Sequence, residues 1–274
     1  MWCSYSENSL KSLCVLDRKI LKLALGSHSK VPSEMLYLET GCLPLLDVIT
    51  VRRLLYLQTI LKRSDNEIIK KVYMEQRKNP CKGDWVKLIE QDFEDLQIAY
   101  DEEKISSLSD EVFRKNIISS IRSNSFRELQ TIKEGHEKVR DISFEALKGP
   151  QEYLCNSLFT NRLSSLLFNL RCRSVRSIKD NFHRQFQGNL SCPFLCPGEI
   201  DTQENLLVCV AIKKHLKNEQ ISLLNEVQYK DIFGSIPEQY NAARIFDIIL
   251  KVRHRLLEKD QRPAHHGNNS GPIG

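Results

Sequence analysis

The sequence predicts an all-α protein: an irregular multi-helix assembly in two packed groups, with a small Cys-rich, zinc-knuckle-like loop. Three observations point there. Apolar residues recur at helical spacing in the long gaps between glycines and prolines, and period-two alternation is rare. Gly149-Pro150 is the clearest interior break. Cysteines cluster only within 192–209, in a stretch rich in Pro and Gly.

Residues 8–25 read as the first helix, broken from Gly26 to Pro32. Leu54, Leu57 and Leu61 put an apolar stripe on a second, at about 46–62. Ile69, Val72 and Tyr73 do the same for a third, ended by Asn79-Pro80. Asp84 is the expected N-cap of a fourth, which carries Trp85, Leu88, Ile89 and Phe93. Asp101-Glu102-Glu103 reads as a solvated acidic loop. Phe113, Ile117, Ile121 and Leu129 mark a long helix over 109–133. Beyond Pro150, helices are expected at about 151–158 and 161–186, then a loop at 188–200. The last helix, 241–258, sets Ala242, Ile245, Phe246, Ile249, Val252 and Leu256 at helical spacing. The expected regions are therefore 1–149, helical and connector-like, and 150–258, basic, with the knuckle-like loop at 188–210. The polar stretch 259–274 reads as a disordered tail.

Composition excludes several classes. With 274 residues, 41% apolar and 27% charged, the chain can bury a core. No apolar run approaches the ~18 residues of a membrane span, so no membrane partner is expected. Glu7, Lys11, Asp17, Arg18, Lys19 and Lys22 interrupt any leader core, so an intracellular protein is expected, nuclear or cytoplasmic. Nine cysteines without an export signal argue for reduced thiols. The scattered ones, Cys3, Cys14, Cys42, Cys81, Cys155 and Cys172, read as small buried hydrophobes. No Gly-rich phosphate loop, G-x-S-x-G or H-E-x-x-H occurs. A two-metal polymerase site needs carboxylates at a strand turn, and Tyr100-Asp101-Glu102-Glu103 has no apolar strand around it. Neither an autonomous enzyme nor a small-molecule substrate is expected.

Charge is segregated. Asp84 to Glu111 holds ten acids and two lysines, whereas Asn161 to Leu190 holds six Lys/Arg and one Asp. As a helix, 171–186 (RCRSVRSIKDNFHRQF) would gather Val175, Ile178, Phe182 and Phe186 in roughly a quarter of the wheel. Arg173, Arg176, His183 and Arg184 would fall on the neighbouring arc, with Lys179 at its border and Arg171 at its start. Arginine suits phosphate because its planar fork donates two parallel hydrogen bonds. These six residues are the candidate RNA or DNA contacts. An ordinary solvated face, an acidic partner or a membrane surface remain alternatives for such a helix.

Residues 192–209 read CPFLCPGEIDTQENLLVC. Cys192 and Cys196, in a turn rich in Pro and Gly, can aim two thiolates at one ion, and Cys209 can add a third. Zinc takes four S or N donors in a tetrahedron. Asn205 is a poor donor, and His215, six residues past Cys209, is the candidate fourth ligand.

Much of this chain resembles the region downstream of the polymerase core in non-LTR (LINE-like) retrotransposon reverse transcriptases. The resemblance begins with LYLETGCLPLLDVITVRRLLYLQTILKR, through Glu39-Thr40-Gly41, Pro44 and Arg52-Arg53. It continues through Gln76, Pro80, Gly83-Asp84-Trp85 and Asp92, then His136-Glu137-Lys138 and Gln151-Glu152-Tyr153-Leu154. LLFNLRCRSVRSIKDNF, the cysteine cluster with Asp201-Thr202-Gln203-Glu204, and YKDIFGSIPEQ complete it. The order and spacing of these segments carry the resemblance more than any single motif. It implies an upstream reverse transcriptase domain as partner in a parent polyprotein, which would hold the catalytic aspartates. For this region it implies a non-catalytic accessory role, holding template RNA or target DNA. The family's Cys-Pro-x-Cys, His, Cys motif maps onto Cys192, Cys196, Asn205 and Cys209. The sequence departs from it by one extra residue between the first two cysteines and by Asn205 in place of histidine. An element-derived scaffold for protein partners and a decayed relic are the alternative expectations.

Overall fold

The computed structural model describes residues 7–27, 31–79, 81, 84–135, 149–175, 178–179 and 190–260. The fold is all-α: among the described residues there is no strand, only an isolated antiparallel bridge between Ser191 and Ile200. No helix among them is long and apolar enough to cross a membrane. The chain forms two compact units, Met1–Leu25 with Val31–Gln151, and Gly26–Lys30 with Glu152–Gly274.

The first unit holds α1 (Glu7–Ala24), α2 (Ser33–Thr40), α3 (Leu45–Leu61), α4 (Ile68–Lys78), α5 (Trp85–Asp95), α6 (Glu102–Ser107) and α7 (Asp110–Gly135). Its centre is α3, which touches α1, α4, α5, α6 and α7. Leu54, Leu57 and Leu61 pack with Trp85, Ile89, Phe93, Phe113, Ile117 and Ile121. Buried Gln58 donates to the carbonyls of Ile105 and Leu108, both at 3.0 Å, which fixes α6 on α3. The Arg53 fork grips Asp92 of α5 at 2.5 and 2.8 Å.

Three local expectations change. On α4 only Tyr73 is buried, while Ile69 and Val72 are exposed. Asp84 holds the N-cap position of α5, as expected, but its side chain accepts from the Cys81 N–H at 2.5 Å and not from an amide of the helix. The acidic loop is in fact the start of α6. Asp101 caps it by accepting from Lys104 N–H at 3.0 Å. Glu102 turns inward, accepting from the Tyr73 hydroxyl and pairing with Arg77 at 2.6 Å. Gly41 ends α2 at φ 64°, and a Cβ there would collide with the backbone of Gly149 and Pro150. Only glycine meets both demands without strain.

The second unit holds α8 (Glu152–Cys155), α9 (Asn161–Arg171), α10 (Gln203–Leu206), α11 (Val210–Lys213), α12 (Asn218–Glu226), a 3-10 turn at Tyr229–Phe233 and α13 (Ile236–Asp260). Its axis is α13, which touches α8, α9, α11, α12 and the 3-10 turn. Ala242, Ile245, Phe246, Ile249 and Val252 are buried, as their spacing predicts. The helix starts earlier than predicted. Ser235 and Glu238 form its entry, the Ser235 N–H and hydroxyl each donating to Glu238 Oε2 at 2.7 Å, with Pro237 in the first turn. It also runs to Asp260, so the tail begins no earlier than 261, and 261–274 lie outside the described residues.

The helix predicted over 161–186 stops at Arg171. Arg173 turns left-handed at φ 46°. Its N–H donates to Leu170 O at 3.1 Å, and the Ser174 N–H donates to Asn169 O at 2.8 Å. These are the paired bonds of a Schellman ending, with arginine where glycine is usual. Cys172 is buried, as predicted for a scattered cysteine, but Cys42, Cys81 and Cys155 are exposed and Cys14 half-buried.

Candidate metal centre

Two turns build the cysteine-bearing loop of the second unit. Leu195 N–H donates to Cys192 O at 3.1 Å, and Glu199 N–H donates to Cys196 O at 3.2 Å. Leu195 and Gly198 take left-handed φ values of 56° and 70°. The Leu195 side chain is 87% exposed. Cys192 N–H donates to Glu199 O at 2.9 Å and closes the loop.

This geometry gathers Cys192, Cys196 and Cys209, whose sulfurs all lie within 4.8 Å of one another. Cys196 Sγ and Cys209 Sγ are 3.8 Å apart. A tetrahedral zinc with Zn–S bonds of ~2.3 Å has an S···S edge of ~3.8 Å. The three thiols can therefore hold a metal ion. Cys209 sits at the N-cap of α11, so the first amides of that helix face the sulfurs. Burial raises the Cys196 thiol, but the backbone amides of Ala211 and Val210 and the thiols of Cys192 and Cys209 outweigh it, and the net shift is downward. Burial pushes Cys209 up to about 11, with the Ile212 amide opposing.

His215 does not join this group. It is exposed beyond the end of α11, on the turn before α12. Asn205 lines the same small cavity as the cysteines, but its side-chain N–H donates to Ile200 O at 2.8 Å. The donor set among the described residues is thus three thiolates.

The segment Asp201-Thr202-Gln203-Glu204 latches the loop to the helices. Asp201 accepts from the Lys179 N–H at 2.9 Å and pairs with Arg253 of α13 at 2.7 Å. Thr202 caps α10 by accepting from the Asn205 N–H at 3.1 Å. Gln203 Nε2 donates to Leu170 O and to the Tyr229 hydroxyl, both at 3.0 Å. Glu204 pairs with Arg173 at 2.5 Å. Arg253 also lies over the Phe194 ring, 5.8 Å from its centroid.

Three of the six residues predicted to meet phosphate make contacts within the protein. Arg171 is buried, donates to Ile232 O at 3.0 Å and stacks on Phe233 and Tyr153. Arg173 is held by Glu204 and by the Tyr229 ring. Lys179 Nζ donates to Ser191 O at 3.0 Å. α9 ends at Arg171, so Arg173 does not continue its helical face. Arg176, His183 and Arg184 lie outside the described residues.

Sequence reasoning missed Asp201, Phe194 and Arg253 as site-building residues. A signal existed for Arg253, which falls four residues after Ile249 on the apolar face of α13. A charge on such a stripe marks a buried pair. No protein-family model, curated protein or solved structure matches this chain.

Proposed function

We propose that the chain is a zinc-stapled, non-catalytic helical accessory module of the LINE-like reverse transcriptase type, and that it contacts RNA or DNA beside a polymerase. The observation that carries the zinc reading is the 3.8 Å separation of Cys196 and Cys209 within a three-sulfur cluster. The ion's role is structural: it ties the loop at 190–201 to α11, and the Asp201–Arg253 pair ties both to α13. Nucleic-acid contact passes to the basic run that follows Cys209, where Lys214, His215 and Lys217 are exposed and Lys213 half-buried. This run replaces Arg171, Arg173 and Lys179, each of which has a terminal nitrogen engaged by a protein group.

The test is fluorescence anisotropy of the zinc-loaded chain with short single-stranded RNA and with duplex DNA, over a salt series. Binding that weakens with salt, and weakens further when Lys213, Lys214 and Lys217 become Gln, supports the reading. Absence of binding at physiological salt overturns it. The scaffold reading then moves ahead. It is favoured by one observation: Leu195, Ile200, Val208 and Val210 leave an exposed apolar rim around the sulfur cluster.

A further inference from the structure

A second candidate site lies in the first unit, independent of the cysteines. A cavity of about 230 Å³, partly open to solvent, is lined by α1, α2, the turn at 41–44, the start of α3, and α7. Its apolar wall includes Leu38, Leu43 and Leu46. Two arginines reach it from different helices, Arg18 from α1 and Arg122 from α7. Both are half-buried, and neither has a hydrogen-bond or ion-pair partner among the described residues.

Two half-buried guanidiniums beside one another in a cavity partly open to solvent favour an anionic guest. The nearest acid on α1, Asp17, is committed elsewhere, accepting the Tyr37 hydroxyl at 2.7 Å. Lys22, one turn past Arg18, has its ammonium lowered by burial and then by the charge of Arg18. Glu34 also lines the cavity, which leaves the two arginines and one carboxylate with a net single positive charge.

The geometry points to a binding site for a small amphipathic monoanion, a carboxylate on an apolar body. The carboxylate bridges the Arg18 and Arg122 guanidiniums, and the body packs on the leucine wall. Planar guanidinium forks match a carboxylate's two oxygens. The single net charge matches a monoanion better than a phosphate dianion. The cavity is smaller than the ~300 Å³ at which drug-sized pockets begin, so the body is short.

Isothermal titration calorimetry of the full chain at neutral pH tests this, with octanoate, 1-octanol and octyl phosphate as probes. Octanoate is expected to bind one-to-one, and octanol at least tenfold more weakly. Arg18→Gln and Arg122→Gln should each weaken octanoate at least tenfold, while Arg52→Gln, on an exposed position of α3, leaves it unchanged. Should either Gln variant melt early, Arg18→Lys and Arg122→Lys keep the charge but lose the fork, and should weaken octanoate severalfold. No saturable heat with octanoate, or octanol binding equally well, overturns the proposal. Octyl phosphate binding tenfold more tightly than octanoate overturns the monoanion assignment.

Discussion

Arg253 of α13 and Asp201 of the cysteine-bearing loop form an ion pair at 2.7 Å with side chains only 2% and 1% exposed. Asp201 also accepts the Lys179 N–H, and Arg253 also covers the Phe194 ring. The pair therefore joins the long helix of the second unit to both flanks of the loop. Taking two charges out of water gains little by itself, but removing one partner strands the other. Asp201→Asn should destabilise the second unit by ~3–5 kcal/mol, the usual penalty for breaking a buried pair. Arg253→Met combined with Asp201→Leu should recover much of that loss. Urea unfolding at fixed zinc concentration measures both, and a loss below ~1 kcal/mol for Asp201→Asn would mean that water reaches the pair.

Arg171 and Arg173 should behave as structural residues. Arg171→Met leaves the Ile232 carbonyl without this donor and removes the stacking on Phe233. It should cost ~1–3 kcal/mol in stability, the range for an unsatisfied buried polar group. Neither Arg171→Met nor Arg173→Ala should change the salt dependence of RNA binding. The triple change Lys213→Gln, Lys214→Gln and Lys217→Gln should reduce the slope of log affinity against log salt by ~2–3. A slope that falls with Arg173→Ala instead would return the phosphate role to that arginine.

The start of α13 should be acid-sensitive. Ser235 holds the Glu238 carboxyl below its ordinary value through its hydroxyl and its backbone N–H. The folded value is depressed relative to the unfolded one. The folded state thus gains from this group above the unfolded carboxyl pKa of ~4.3, and loses the gain as pH falls through the folded value. Protection factors at Gln239 and Tyr240, with exchange rates corrected for the intrinsic slowing in acid, should fall over that acid range. Glu238→Gln should abolish this pH dependence while leaving the rest of α13 protected. Unchanged protection factors between neutral and acid pH would show that the cap does not control the helix end.

Much of the fold was legible because it rests on helical periodicity. The stripes of α3, α5, α7 and α13 are visible in Leu54, Ile89, Phe113 and Ile249, and each of these is buried. What escaped has a local physical cause. The end of α9 depends on Arg173 adopting a left-handed φ, which no sequence rule assigns to arginine without a glycine nearby. The inward face of α4 was misjudged because Ile69 and Val72 look like core, whereas Tyr73 is drawn in by hydroxyl contacts with Tyr100 and Glu102. The short α10, α11 and α12 have too few turns for a periodic signal. At the candidate metal centre, the three cysteines could be read from spacing. The Asp201–Arg253 latch could not, because it joins residues 52 positions apart.

The measurement that bears most directly on this account is the metal content of the purified, tag-free chain, with a chelator titration followed by circular dichroism and urea unfolding. The account predicts close to one equivalent of zinc, lost on chelation together with part of the helical signal. It also predicts that Cys196→Ser and Cys209→Ser abolish binding while His215→Ala leaves it intact. A metal-free chain whose helicity and unfolding midpoint ignore both zinc and chelator would contradict it.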